Sequence, residues 1–355
     1  MTWARAGEKH AGENVNAPDF SVYRMNCLVI GGTQFIGRHL VAELLKAGHV
    51  VTVLHRKPKH DLGRRVKNLM ADRNDPKAVK AALAGKTFEV VFDNVYDWQR
   101  GTTSAQVEGT VRAINGSLDR YIFMSSVAAY GDGLNHHEGD ALAPDDAADL
   151  YTRNKAMSER ALFRLHQRMG LPAVTLRPPF IYGPENPLYR EAFFWDRLRA
   201  GRSIILPGDG RRLMQFVYVK DLVRAALRAM EEKTAVGHAF NIANARPVAQ
   251  SEFVEALAKI CRKPVKFVRI PREYLLRAGG HPMGPKMYFG VYLDMPPITQ
   301  VTAKVQRVLK FKPTDFATGL QETYKWYLRH QGAKQDYSFE DMLLTHAPVL
   351  PPPKA

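Results

Sequence analysis

Short apolar runs alternate with amphipathic helical stretches from Met25 onward, and few architectures satisfy that rhythm. Residues 25–30, 50–55, 68–71, 89–95 and 121–125 read as strands, with 35–47, 76–84 and 103–117 as the helices between them. Such alternation implies right-handed crossovers and a parallel sheet. The unbroken run Val90-Val91-Phe92 fits a sheet covered on both faces. A long helix is expected over 150–169 and a strand over 173–176. Pro and Gly then crowd 177–187 and 207–210, while 216–219 and 239–242 read as strands returning to the main sheet. The expected organisation is an N-terminal extension, 1–24, then a doubly wound α/β domain, 25–183 plus 216–245. A smaller C-terminal lobe follows from 184–215 plus 246–330, with a tail, 331–355, too Pro-rich at 348–353 for helix or strand.

Composition narrows the function classes. A hydrophobic fraction of 45% in 355 residues excludes wholesale disorder. No apolar run approaches the roughly 20 residues of a membrane helix, and the first 24 residues lack a secretory signal's apolar centre. Two cysteines, Cys27 and Cys261, are too few for a disulfide framework or a zinc site. A cytoplasmic protein is expected. Lys plus Arg number 51 against 35 Asp plus Glu, a net +16 that would attract polyanions. The cations are scattered, with clusters only at 55–59 and 210–212, which reads as a solvated surface more than a binding stripe.

Chemistry concentrates at two places. In Ile30-Gly31-Gly32-Thr33-Gln34-Phe35-Ile36-Gly37 the glycines stand between the first strand and the first helix. Glycine lets the turn close, lets backbone N–H groups approach a pyrophosphate, and aims a helix N-terminus at its charge. At the end of the second strand an acid would bind the free ribose of NAD. Here Leu54-His55-Arg56-Lys57 has none, which leans toward the phosphate of NADP. Asp72, after the third strand, could accept a hydrogen bond from the adenine amino group. Further on, Tyr151 and Lys155 lie four apart on the long helix and so share a face. A tyrosine is a poor base at neutral pH, but a neighbouring ammonium favours its phenolate. Ser126 follows the strand 121–125 at the carboxyl edge of the sheet, where it can orient a substrate oxygen for proton exchange with Tyr151.

With those residues in place, the chain resembles the extended short-chain dehydrogenases/reductases, the NAD-dependent epimerase/dehydratase group, over about residues 25–330. The wide glycine spacing, Ser125-Ser126-Val127-Ala128-Ala129-Tyr130-Gly131, Leu176-Arg177-Pro178-Pro179-Phe180-Ile181-Tyr182-Gly183-Pro184, Pro207-Gly208-Asp209-Gly210 and Phe240-Asn241-Ile242-Ala243 carry the resemblance. It implies a Rossmann-type fold and Ser126, Tyr151 and Lys155 as catalytic residues. It also implies a cofactor site of Gly31, Thr33, Gln34, Phe35, Ile36, Gly37, His55, Arg56, Asp72, Asn94, Val95, Lys155, Pro178 and Ile181. The substrate would meet Tyr96, Ser126, Phe180, Arg212 and Met214. A homodimer through the helices 103–117 and 150–169 is a further implication.

The departures matter. Gln34 replaces the middle glycine, and Asp93-Asn94-Val95-Tyr96 stands where the family has a His-x-Ala-Ala type run. Phe180 replaces the usual sugar-nucleotide asparagine, and Met214 the arginine that grips substrate phosphates, though Arg211 and Arg212 are close. These features resemble atypical members, among them chloroplast stem-loop RNA-binding proteins, which have lost the Tyr/Lys pair that this chain keeps. The expectation is an NAD- or NADP-dependent epimerase or dehydratase acting on a sugar or sugar nucleotide. The alternatives are an NADPH-dependent reductase of a non-nucleotide carbonyl compound, and an RNA binder with a vestigial cofactor fold. His136-His137-Glu138 reads as a polar loop over the active site, and Phe193-Phe194-Trp195 as core.

Overall fold

The computed structural model describes residues 24–353 apart from 117, 331, 333 and 334. The expected extension 1–24 therefore lies almost wholly outside the described residues. The strands are β1 (Asn26–Ile30), β2 (Val50–His55), β3 (Val66–Met70), β4 (Val90–Asp93), β5 (Arg120–Met124), β6 (Gly133–His136), β7 (Ala173–Arg177), β8 (Phe180–Tyr182), β9 (Ile204–Pro207), β10 (Leu213–Met214), β11 (Phe216–Tyr218), β12 (His238–Asn241), β13 (Val248–Ala249), β14 (Phe267–Ile270) and β15 (Ile298–Gln300). The helices are α1 (Phe35–Lys46), α2 (Pro76–Leu83), α3 (Ser104–Ala113), α4 (Leu150–Met169), α5 (Glu191–Arg199), α6 (Val219–Glu231), α7 (Gln250–Cys261), α8 (Arg272–Arg277), α9 (Ala303–Val308), α10 (Phe316–Arg329) and α11 (Ser338–His346).

Seven strands form one parallel sheet in the order β12-β7-β5-β4-β1-β2-β3, the doubly wound Rossmann arrangement. Period-two alternation explains why β1 is apolar from Cys27 to Ile30. Cys27 and Val29 pack toward α1 and α6 (Leu40, Val41, Leu222), whereas Leu28 and Ile30 pack toward α2, α3 and α4 (Val79, Val107, Leu162). Helix entries follow the usual chemistry. Asp75 caps α2 with Pro76 at its first position, and Asp149 accepts the Thr152 N–H at the start of α4. No helix among the described residues is long and apolar enough to cross a membrane.

Three expectations are corrected. β12 joins the main sheet, but β11 does not; it pairs in parallel with β8. Pro178 and Pro179 follow β7 directly, and a chain without those N–H groups cannot continue the ladder, so β8 departs and takes β11 with it. Phe216 accordingly packs into the lobe core while Val217 belongs to the sheet core. His136 is not part of a loop over the active site: it ends β6, which pairs with β15, and its ring stacks on Tyr130 at 4.5 Å. The segment expected as a bare tail contains α11, pinned by the buried Arg197–Glu340 pair. The lobe core is aromatic, with Phe193, Phe194 and Trp195 buried as expected.

Candidate active site

The loop after β1 is shaped by contact. A Cβ on Gly37 would stand 2.0 Å from the Gly31 carbonyl oxygen, and one on Gly31 would stand 2.4 Å from Val95 Cγ2. Only glycine allows α1 to sit this close to the strand edge. Gln34 caps α1 in extended conformation without a side-chain hydrogen bond, so the first N–H groups of α1 have no side-chain cap. Phe35 lies at φ +37°, a left-handed conformation unusual for a bulky residue. Opposite the loop, the Asn94 N–H donates to Ile30 O at 3.1 Å, while both polar atoms of its side chain are buried without a partner.

The neighbouring corner carries ions. Arg56 is exposed and 3.6 Å from Asp97, and the imidazole pKa of His55 is lowered by burial. Asp72 is already engaged: it accepts from the Asn74 N–H at 2.9 Å and from Arg100 at 2.6 Å. Arg100 also reaches Asp97 at 2.6 Å. No sequence motif pointed to Arg100, since its partners come from two different loops.

The catalytic candidates meet at the carboxyl edge of β5. Tyr151 and Lys155 project from the first turns of α4. The Lys155 ammonium donates to Met124 O at 2.6 Å and lies 5.7 Å from the centre of the Tyr151 ring. Ser126 accepts the Ala128 N–H at 3.1 Å and acts on the Tyr151 phenol. Burial pushes the Tyr151 phenol up to about 12, against the opposing pull of Ser126 and the charge of Arg190. Burial also draws Lys155 down to about 8, opposed by the anions Asp93 and Glu159. Asp93 lies inside the fold, accepting from Arg73 at 2.6 Å and from the Tyr121 hydroxyl at 2.7 Å. Glu159, one turn beyond Lys155, accepts from Ser125, Thr175 and Arg177, so α4 is tied to the ends of β5 and β7.

An aromatic wall stands over Tyr151. Tyr96 meets its ring edge-on at 4.7 Å, Trp98 stacks on it at 4.8 Å, and Tyr292 lies 5.9 Å from Trp98. Tyr96 was legible in sequence; Trp98 and Tyr292 were not. Phe180 lies beneath the Arg190 guanidinium, 4.9 Å from ring centre to carbon. Ile181 packs between the two cores and Pro178 O accepts the Val127 N–H at 3.0 Å. Arg212 is held by Asp294, donating to its backbone O at 2.8 Å. Met214 is buried in the lobe core, so the structure does not bring it to this wall.

The model of the NAD dependent epimerase/dehydratase family matches residues 27–243, more than half of the chain. The chain belongs to that family. Chloroplast stem-loop binding protein of 41 kDa b from Arabidopsis thaliana is 32% identical over 342 residues, spanning 91% of this chain and 85% of its own. UDP-N-acetyl-alpha-D-glucosaminuronate decarboxylase from Bacillus cytotoxicus is 26% identical over 337 residues, spanning 86% of this chain and 98% of its own. Among solved structures, the UDP-glucuronic acid 4-epimerase of Bacillus cereus, in complex with UDP-glucuronic acid and NAD, aligns with a TM-score of 0.68 at 20% identity. That alignment covers 86% of this chain and 100% of the other.

The residues present fit the dinucleotide of an NAD-dependent epimerase/dehydratase. The glycine cradle and the α1 N-terminus without a side-chain cap suit a pyrophosphate. The partnerless amide of Asn94 supplies a buried donor and acceptor beside it.

Proposed function

We propose that this family member is an NAD(P)-dependent epimerase/dehydratase-type enzyme working at a hydroxyl or carbonyl carbon of a sugar or sugar nucleotide. The observation that carries this reading is the meeting of Ser126, Tyr151 and Lys155 at the carboxyl edge of β5. The nicotinamide supplies hydride acceptance and donation when bound. Ser126 orients the substrate oxygen, and Tyr151 exchanges a proton with it. A phenol held near 12 is protonated at neutral pH and suited to give its proton to a carbonyl oxygen. Lys155, still largely protonated at pH 7, lowers the cost of the phenolate when the proton moves the other way, and holds ribose hydroxyls. The wall of Tyr96, Trp98 and Tyr292 covers one side of the Tyr151 ring. The absence of an acid at the end of β2, with Arg56 exposed there, supports NADP over NAD.

Denaturing freshly purified protein and weighing the released small molecules tests the reading. Stoichiometric NAD(H) or NADP(H) supports an enzyme that recycles its cofactor. An empty protein that takes up NADPH reversibly points to a net reductase. Failure to bind either dinucleotide overturns the reading.

A second reading is supported by the 32% identical relative, which is named as a stem-loop binding protein, and by the net +16 charge. Tight RNA stem-loop binding that survives Tyr151→Phe would favour it. A homodimer is also proposed: α3 packs along α4, where Glu108 pairs with Arg112 and Arg164 on the outer surface. A monomer on gel filtration at micromolar concentration overturns that.

A further inference from the structure

Four arginines are buried among the described residues: Arg73, Arg177, Arg190 and Arg197. Three have a carboxylate, respectively Asp93, Glu159 and Glu340. Arg190, only 7% exposed, has none within 4.0 Å among the described residues. Its Nε and Nη1 donate to the carbonyls of Val291 and Ile181, each at a long 3.3 Å, and its Nη2 has no hydrogen bond among the described residues. An unpaired buried charge is costly, and a fold that supplies counter-ions to its other buried guanidiniums leaves this one without. The adjacent acid, Glu191, acts on it only through space and makes no ion pair with it within 4.0 Å. It accepts from Asn186 at 3.1 Å, its other oxygen is buried without a partner, and burial pushes it up to about 7.

Where this charge lies decides what it could hold. The guanidinium carbon is 6.0 Å from the Tyr292 ring, which adjoins Trp98, which stacks on Tyr151. Its charge also acts on the Tyr151 phenol. Arg190 stands at the N-terminal flank of α5, a nine-residue helix whose positive end reinforces the preference for an anion. The loop whose Val291 carbonyl holds it carries Tyr292 at φ +66°, a strained conformation for a large side chain and one retained at this wall.

We propose that Arg190 is the seat of an anionic group of the substrate, a carboxylate borne on the reacting ring. This deepens the reading of Tyr151 as the proton-exchanging residue and rests on it. A planar guanidinium with a free amino group matches a carboxylate edge. Its place against Phe180 and Tyr292, on the wall that covers Tyr151, puts the anion toward the reacting end of the substrate and not at a nucleotide's phosphates.

Calorimetric titration of the full-length protein, with and without saturating NADH, with four probes tests this: UDP-glucuronate, UDP-glucose, D-glucuronate and D-glucose. The native protein should bind each acid on the order of 10- to 100-fold more tightly than its neutral partner. Arg190→Gln should abolish the difference, and Arg190→Lys, which keeps the charge, should retain part of it. Equal affinity for acid and neutral sugar in the native protein overturns the proposal without any variant, so a poorly folding variant does not spoil the test. Tight binding of both UDP compounds alike would show that the phosphates supply the anion, and also overturns it. So does a preference that survives Arg190→Gln, or no binding of any probe. NADH titration separates the two readings. An Arg190-dependent acid preference in a protein that binds no dinucleotide sinks the enzyme reading and keeps the seat; dinucleotide binding without acid preference does the reverse.

Discussion

Tyr151 and Lys155 sit in surroundings that penalise charge, and each is shifted toward its neutral form. On the proposed mechanism, removing the Tyr151 hydroxyl takes away the proton donor but little packing. Tyr151→Phe should therefore lower kcat on an accepted substrate about 10²- to 10⁴-fold, with a melting temperature close to that of the parent. A comparable kcat in the variant would remove Tyr151 from the mechanism. Lys155 makes a prediction about pH. Its folded pKa, about 8, lies below its unfolded value, so the folded state bears a cost of charge burial that is fully present below pH 8. Between about pH 8 and 10.5 the unfolded chain holds the proton longer, and stability rises as pH rises. The cofactor-free protein should gain up to about 3 kcal/mol over that window relative to Lys155→Met, read from urea melts at each pH. Parallel curves for the two proteins would contradict the shift.

Elements are held in place by contacts that admit few substitutions. The β1–α1 junction depends on Gly37, where a Cβ would meet backbone and not a side chain able to yield. Gly37→Ala should cost about 1–3 kcal/mol and abolish dinucleotide binding, both measurable on one preparation by melting and by NADH fluorescence titration. Gly48→Ala is the control. Nothing lies within 4 Å of its added Cβ, so only the strain of φ +86° is felt, and cofactor affinity should stay the same. The Tyr-x-x-x-Lys spacing and the strand ending just before Ser125 were readable because they are local: one helix face and one strand end. The β11 pairing was not. Phe216-Val217-Tyr218 has the residue types of a central strand, but its partner is decided by two prolines far back in the chain at Pro178 and Pro179.

The assembled protein joins a Rossmann domain to a lobe whose last helix returns to close it. Arg197 on α5 donates to both oxygens of Glu340 on α11 through its Nε at 2.9 Å, with Phe193 against its guanidinium. Glu340→Ala leaves a buried guanidinium unpaired and should destabilise the protein by about 3–5 kcal/mol. Proteolysis should then begin in the lobe, and cleavage confined to the Rossmann domain would argue against this pin. The sequence was sufficient for the doubly wound sheet, the glycine loop and the placing of Ser126, Tyr151 and Lys155 around one strand end. Hydrophobic period, glycine spacing and helix geometry act over a few residues and are written locally. Tertiary structure alone decided the aromatic wall and the Arg190 seat. Trp98, Tyr151, Arg190 and Tyr292 come from four separate segments, and no local pattern records which buried cation is left without a counter-ion. That depends on where every carboxylate of the fold comes to rest.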